Sequence, residues 1–177
     1  EVAADLAATP FPAYVLDCAH RLVVWNDHVR RLFEVVPTDP TLGRLAGRSM
    51  VRAWFDPASS LPGRVVAPER FFPSLMRAFH YEMSQFGSEP WYDDVLDELL
   101  ALPLFRRYWD AARDQPPPAI ARRALVPIEL RGPGPEPLSF RLIPEPLMRD
   151  QRFRTIGYIP ADTATMRWCA EDTGGDS

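Results

Sequence analysis

The chain reads as an α+β domain: a five-stranded antiparallel sheet with an enlarged helical block between its second and third strands. Three observations carry this. Two short runs near the N-terminus alternate or concentrate β-branched and aromatic residues, residues 69–112 repeat apolar positions at helical spacing, and residues 124–159 return to alternation. The 177 residues are 46% hydrophobic, enough for one ordinary core.

In Phe11-Pro-Ala-Tyr-Val-Leu-Asp17, Tyr14 and Leu16 alternate with Val15 and Asp17, the period of a half-buried strand. Residues 18–20 suffice only for a turn, and Leu22 to Trp25 has the composition of a second strand. Asn26 is a good N-cap for a helix whose apolar face is Val29, Leu32, Phe33 and Val36. A hairpin running straight into a short helix is how a PAS domain begins, and PAS domains are sensors.

Residues 36–47 hold two Pro and two Gly and are expected to be a loop. Ser49 caps a short helix from Met50 to Phe55, closed by Asp56-Pro57. Residues 58–67 form another loop, turned at Pro62-Gly63. Pro68 opens the longest helical pattern, about residues 69–86, whose stripe is Phe72, Met76, Phe79, Met83 and Phe86. Trp91, Val95, Leu96, Leu99 and Leu100 mark a second helix, with Asp93 and Asp94 suited to its N-terminal dipole. Leu104, Phe105, Tyr108, Trp109 and Ala112 mark a third, with Pro103 at its first position and Pro116-Pro117-Pro118 ending the block. Ala124, Val126, Ile128 and Leu130 alternate as a strand, with Pro127 suited to an edge or a bulge. Leu138, Phe140 and Leu142 form the next strand, residues 149–152 a polar turn, and residues 155–159 a short final strand. Beyond Ala161 a short tail or helix is expected, with residues 174–177 disordered. The organisation is thus a lead-in at 1–11, one domain at 12–160 and a tail at 161–177. Because the chain begins with Glu1, it reads as a piece of something longer.

Several function classes are excluded by composition and motif. The formal net charge of −4 argues against a nucleic-acid surface on this segment. All 20 basic residues are Arg, a bias that carries no function by itself but suits bidentate carboxylate recognition. Cys18 and Cys169 have neither a CxxC nor a metal-ligand spacing. No signal peptide is seen, and no apolar run nears the roughly 20 residues a membrane span needs, so a bacterial cytoplasmic setting without a membrane partner is expected. No nucleophile elbow, zinc-protease motif or phosphate loop is present, and the reading is not an enzyme. Asp93, Asp94, Asp97 and Glu98 read as a wet helix face near its N-terminus rather than a carboxylate pair.

Pro12-Ala-Tyr-Val-Leu-Asp17, Val24-Trp-Asn26 and Leu32-Phe33 resemble the opening of the ligand-binding domain of MmyB-like transcription regulators. Met50-Val-Arg-Ala-Trp-Phe-Asp-Pro57 resembles that family's apolar helix ending in Asp-Pro, and Leu104-Phe-Arg-Arg-Tyr-Trp-Asp110 its helix with a Phe-Arg pair before a Trp. Residues 132–142 and Gly157-Tyr-Ile-Pro160 are similar to its closing hairpin and last strand. The resemblance implies a PAS-like regulator domain, fused to an N-terminal helix-turn-helix and able to hold a fatty-acid-like ligand. No helix-turn-helix is read within this chain, and residues 58–70 differ from the family's short aromatic segment.

The candidate ligand-binding residues follow. Phe72, Met76, Phe79 and Met83 are packing for helix on sheet, and equally an adaptable lining for an acyl chain. Tyr14, Leu16, Val24, Phe33, Trp54 and Phe55 would supply the sheet and short-helix walls. Arg44, Arg48, Arg52, Arg64, Arg70 and Arg77 face only Asp56 and Glu69 in their span. Most form a solvated face, with Arg52 or Arg77 expected to anchor an acidic head group. Lone histidines usually sit on the surface or at caps, so His20, His28 and His80 point to haem only as a lesser alternative, and no cofactor is expected beyond a bound fatty acid. The remaining alternatives are a ligand-free dimerisation or docking module, which would make the chain a homodimer, and an enzyme using the same cavity.

With an acidic balance and no recognition helix, residues 1–177 alone are expected to show no sequence-specific DNA affinity, and any weak binding should fade with salt. A salt-resistant, sequence-dependent shift in an electrophoretic assay would overturn this.

Overall fold

A computed structural model of the chain describes residues 2–33, 41–116 and 127–171. The expected positions Val36, Ala124 and Val126, and the tail at 174–177, lie outside the described residues. The order is α1 (Val2–Ala7), β1 (Ala13–Asp17), β2 (Leu22–Trp25), α2 (Asp27–Leu32), α3 (Thr41–Leu45), α4 (Met50–Phe55), α5 (Pro68–Ser84), α6 (Tyr92–Leu100), α7 (Pro103–Arg113), β3 (Ile128–Arg131), β4 (Pro137–Leu147), β5 (Asp150–Pro160) and α8 (Thr163–Ala170). The strands form one antiparallel sheet in the order β2-β1-β5-β4-β3, the α+β, PAS-like arrangement.

Alternation along the strands divides the side chains between the two faces of the sheet. Tyr14 and Leu16 of β1 join Leu138 and Phe140 of β4, Tyr158 of β5 and the buried residues of α2 and α4 to α7 in one large cluster. Ala13 and Val15 point the other way, where Leu6 of α1 covers them with Val24, Leu147 and Phe153. Tyr14 pairs with Ile156 and Leu16 with Arg154, so even-numbered β5 side chains share the helical face.

Local chemistry sets the helix ends. Ser49 Oγ accepts from Arg52 N, and Asp162 caps α8 by accepting from Thr165 N. Pro68 and Pro103 occupy the first helical turns of α5 and α7, where no N–H is needed. Asn26 does more than cap α2. Its Oδ1 accepts from Val29 N at 3.2 Å and from Ala13 N at 3.1 Å. Its Nδ2 donates to Phe11 O at 2.7 Å and, at longer range, to Leu6 O and Thr9 O.

Four expectations need correction. Residues 41–45 are helical rather than loop, within the stretch from 36 to 47. The longest helix stops at Ser84, so Phe86 lies beyond it and packs on Trp91 instead. The final strand begins at Asp150, reducing the polar turn to Met148 and Arg149. An eleven-residue β5 is possible because it lies between β1 and β4, with a partner on each edge. The lead-in also contains α1, which the sequence does not announce because its single buried side chain is Leu6.

Replacing Asn26 by Ala should cost roughly 3–4 kcal/mol, a lost cap plus a buried Ala13 N–H left without an acceptor. Asp normally caps as well as Asn, yet Asn26→Asp should cost a similar amount because it turns a carboxylate oxygen toward three carbonyls. Urea unfolding checks both; an Asp variant within about 1 kcal/mol of wild type would show that the Nδ2 bonds contribute little.

Candidate functional site

Between the helical face of the sheet and α4 and α5 lies a cavity of about 120 Å³ that opens to solvent. Tyr14 and Leu16 of β1, Leu142 and Pro144 of β4, and Arg154 and Ile156 of β5 form its floor. Met50, Val51 and Trp54 of α4 form one wall. The other wall is one face of α5: Phe71, Ser74, Leu75, Ala78, Phe79 and Glu82, spaced at three and four residues. The small side chains at Ser74 and Ala78 leave the space that bulkier residues would fill. The lining is mainly apolar.

Its polar end is built from three elements. His20 follows β1 and takes a left-handed backbone, φ 59°, uncommon outside glycine. Its N–H donates to Asp17 O and its carbonyl accepts from Met50 N, which ties the turn to the start of α4. The ring packs edge-on against Phe79 at 4.6 Å. Arg154 Nη1 donates to Glu82 Oε2 at 2.9 Å, and Nη2 lies 2.7 Å from His20 Nδ1 and 2.8 Å from Nε2. His20 Nε2 is 3.4 Å from Glu82 Oε2. One tautomer satisfies all three groups: Nε2–H donating to Glu82 and Nδ1 accepting from Arg154. Burial lowers the pKa of Arg154, with Tyr14, Asp17 and Cys18 opposing, yet a guanidinium keeps its charge at neutral pH. Glu82 and Arg154 also border a second cleft, of about 210 Å³, lined by Asp17, Cys18 and Arg152 among others.

Deeper in the floor, the Tyr14 and Tyr158 hydroxyls meet at 3.5 Å, inside the core. Burial pushes the Tyr14 phenol up to about 12, against the bond from Tyr158 and the charge of Arg154. Burial raises Tyr158 as well, with Tyr14 adding to the rise.

The structure brings Tyr14, Leu16, Trp54 and Phe79 to the cavity and places the other candidates elsewhere. Phe72 packs on Phe55 and Tyr108, and Phe79 turns its far side to Phe105 and Trp109, so the stripe serves the α7 contact. Met76 and Met83 are fully buried in that core. Phe55 packs on Phe105, and Phe33 stands against Trp54 and Tyr158, one layer behind the cavity. Val24 faces the opposite side of the sheet, with Val15 and Leu6. Neither expected Arg lines the cavity. Arg52 is held by Asp56 at 3.0 Å and by Glu98 at 3.1 Å, across to α6, and Arg77 lies off the cavity face of α5 with its Nε buried. The cation at the cavity is Arg154, which with Glu82 is not among the sequence candidates, whereas His20 is among them only as a haem alternative. Alternation of Arg154, Ile156 and Tyr158 would have revealed the cation, had the strand been taken from residue 150.

Among the described residues no group of three His, Cys, Asp or Glu side chains could hold a metal ion, and no helix is long and apolar enough to cross a membrane. A family model described as the MmyB-like transcription regulator ligand binding domain matches residues 4–170. No curated protein matches the chain.

Alkaline pH should expose the buried phenols. A raised folded-state pKa means that the stabilisation is complete below 10, the unfolded value, and is lost as pH rises toward 12. Tyr14 alone accounts for about 2–3 kcal/mol of that loss. Melting curves between those limits should fall less steeply for Tyr14→Phe; an equal fall would mean that the phenol is not protected from water.

Proposed function

The chain belongs to the MmyB-like transcription regulator ligand-binding domain family, and from that premise we propose that it senses a fatty-acid-like amphiphile held in the cavity between sheet and helices. The family is one of regulator domains and not of enzymes, so the cavity is read as a receptor. The observation that carries the reading is an apolar cavity with one partly buried arginine, Arg154, in its wall. The acyl chain lies against Leu16, Trp54, Phe71, Leu75, Ala78 and Phe79, and Arg154 holds the acidic head in place of the expected Arg52 or Arg77. Desolvated guanidinium and carboxylate form strong charge-assisted bonds, whereas a lone buried carboxylate would become protonated instead. Each methylene buried in the cavity adds about 0.8 kcal/mol, near fourfold in affinity, until the space is full.

The DNA-binding part of this reading is a helix-turn-helix outside the chain, its setting is the cytoplasm, and two copies pair to present two such heads. Ligand occupancy changes how that head is presented.

Native mass spectrometry of protein purified from cells should show bound lipid on wild type. Ala78→Phe, which fills the cavity from the α5 wall, should remove it while the melting temperature changes little. Undiminished lipid on the filled variant would place the ligand elsewhere.

A further inference from the structure

We propose that Glu82 is a built-in competitor for the ligand's head group: its carboxylate holds Arg154 until an acidic head displaces it, and the exchange unfastens α5 from β5. This rests on the cavity reading above and names how the domain's response to an acid differs from its response to a neutral amphiphile.

Both terminal nitrogens of the guanidinium are already engaged. Nη1 is on Glu82 and Nη2 is against the His20 ring. Nε is buried and, among the described residues, makes no hydrogen bond. Any two-point grip by a second carboxylate therefore uses at least one nitrogen that already serves Glu82 or the His20 ring. Adding it without displacement would set two carboxylates side by side at a desolvated wall, where like charges repel strongly.

Glu82 is also the group best placed to leave. It lies in the last turn of α5, which carries no basic residue, so the negative end of the helix dipole disfavours its charge there. The side chain borders the outer cleft beside Arg152 and Gln151, which gives the displaced carboxylate a hydrated place to go. Glu82 is on α5 and Arg154 on β5, so the bond between them spans the cavity from helix to sheet. A neutral amphiphile fills the apolar space and leaves that bond closed, whereas an acid opens it.

Calorimetric titration with decanoate and decanol tests this on wild type, Glu82→Gln, Arg154→Gln and the double variant. Gln keeps the size of Glu and a weak acceptor for Arg154, so the fold is retained. Wild type should bind acid and alcohol with similar affinity, because the acid gains a bond to Arg154 while breaking another. Glu82→Gln should tighten decanoate roughly tenfold, the size of one charge-assisted hydrogen bond, with decanol unchanged. The gain should vanish in the double variant. In wild type, decanoate but not decanol should speed amide exchange at the C-terminal end of α5. Unchanged or weaker decanoate binding by Glu82→Gln, or a gain that survives loss of Arg154, overturns the proposal while decanol binding leaves the cavity reading intact. If neither amphiphile binds any variant, both fall together.

Discussion

The side-chain amide of Asn26 joins what the rest of the fold builds upon. Its oxygen satisfies both the first strand, at Ala13 N, and the first helix after the hairpin, at Val29 N. Its nitrogen gathers carbonyls from the segment between α1 and β1, the strongest being Phe11 O. Ala13 N and Phe11 O lie where the chain changes direction, and such groups left unpaired inside a core cost about as much as a lost hydrogen bond apiece. One planar group with donors on one side and acceptors on the other settles them together. That lets α1 cover the outer face of β1 while β1 still contributes Tyr14 and Leu16 to the inner one.

The inner face is where packing and binding compete. Helix α5 carries two apolar faces rather than one. The face with Phe72, Met76 and Met83 is filled by α4 and α7, and aromatic rings meet there at the tilted and edge-on angles favoured by their quadrupoles. The adjacent face, with Phe71, Leu75 and Ala78, meets Trp54 edge-on at Phe71 and otherwise lines the cavity. The cavity exists because Ser74 and Ala78 on this face are too small to fill the space before the sheet. Close packing elsewhere keeps that gap from collapsing.

These two faces also explain what could and could not be read from residues in order. The hairpin, the caps at Asn26 and Ser49, the proline starts at Pro68 and Pro103 and the single sheet all follow from local rules, and all are present. The cavity face of α5 was not legible because Ser74 and Glu82 interrupt it and make it resemble a wet surface. The length of β4 and β5 was hidden by Pro144, Pro146 and Gly157. Both prolines sit two residues apart in β4, beyond the four residues that β3 pairs, so their missing N–H groups face an edge with no partner strand among the described residues. Placing a cation at the cavity required knowing that Arg154 stands opposite Leu16, a register set by residues far apart in the chain.

The placement of β5 in the middle of the sheet has a consequence for how the chain comes into being. Strand β1 has one edge satisfied by β2 and the other by β5, which is synthesised more than a hundred residues later. During synthesis the N-terminal hairpin therefore waits with an open edge, and β4 with β3 waits likewise. Tyr14 lacks Tyr158, and the cavity has walls but half a floor. Closing the sheet is a single long-range event that completes both hydrophobic clusters and the polar end of the cavity at once. Such non-local pairing is slow, and exposed edges are where chains stick to one another. Maturation of this domain is thus gated by the arrival of β5, and the cavity has its full floor only after that strand has been made.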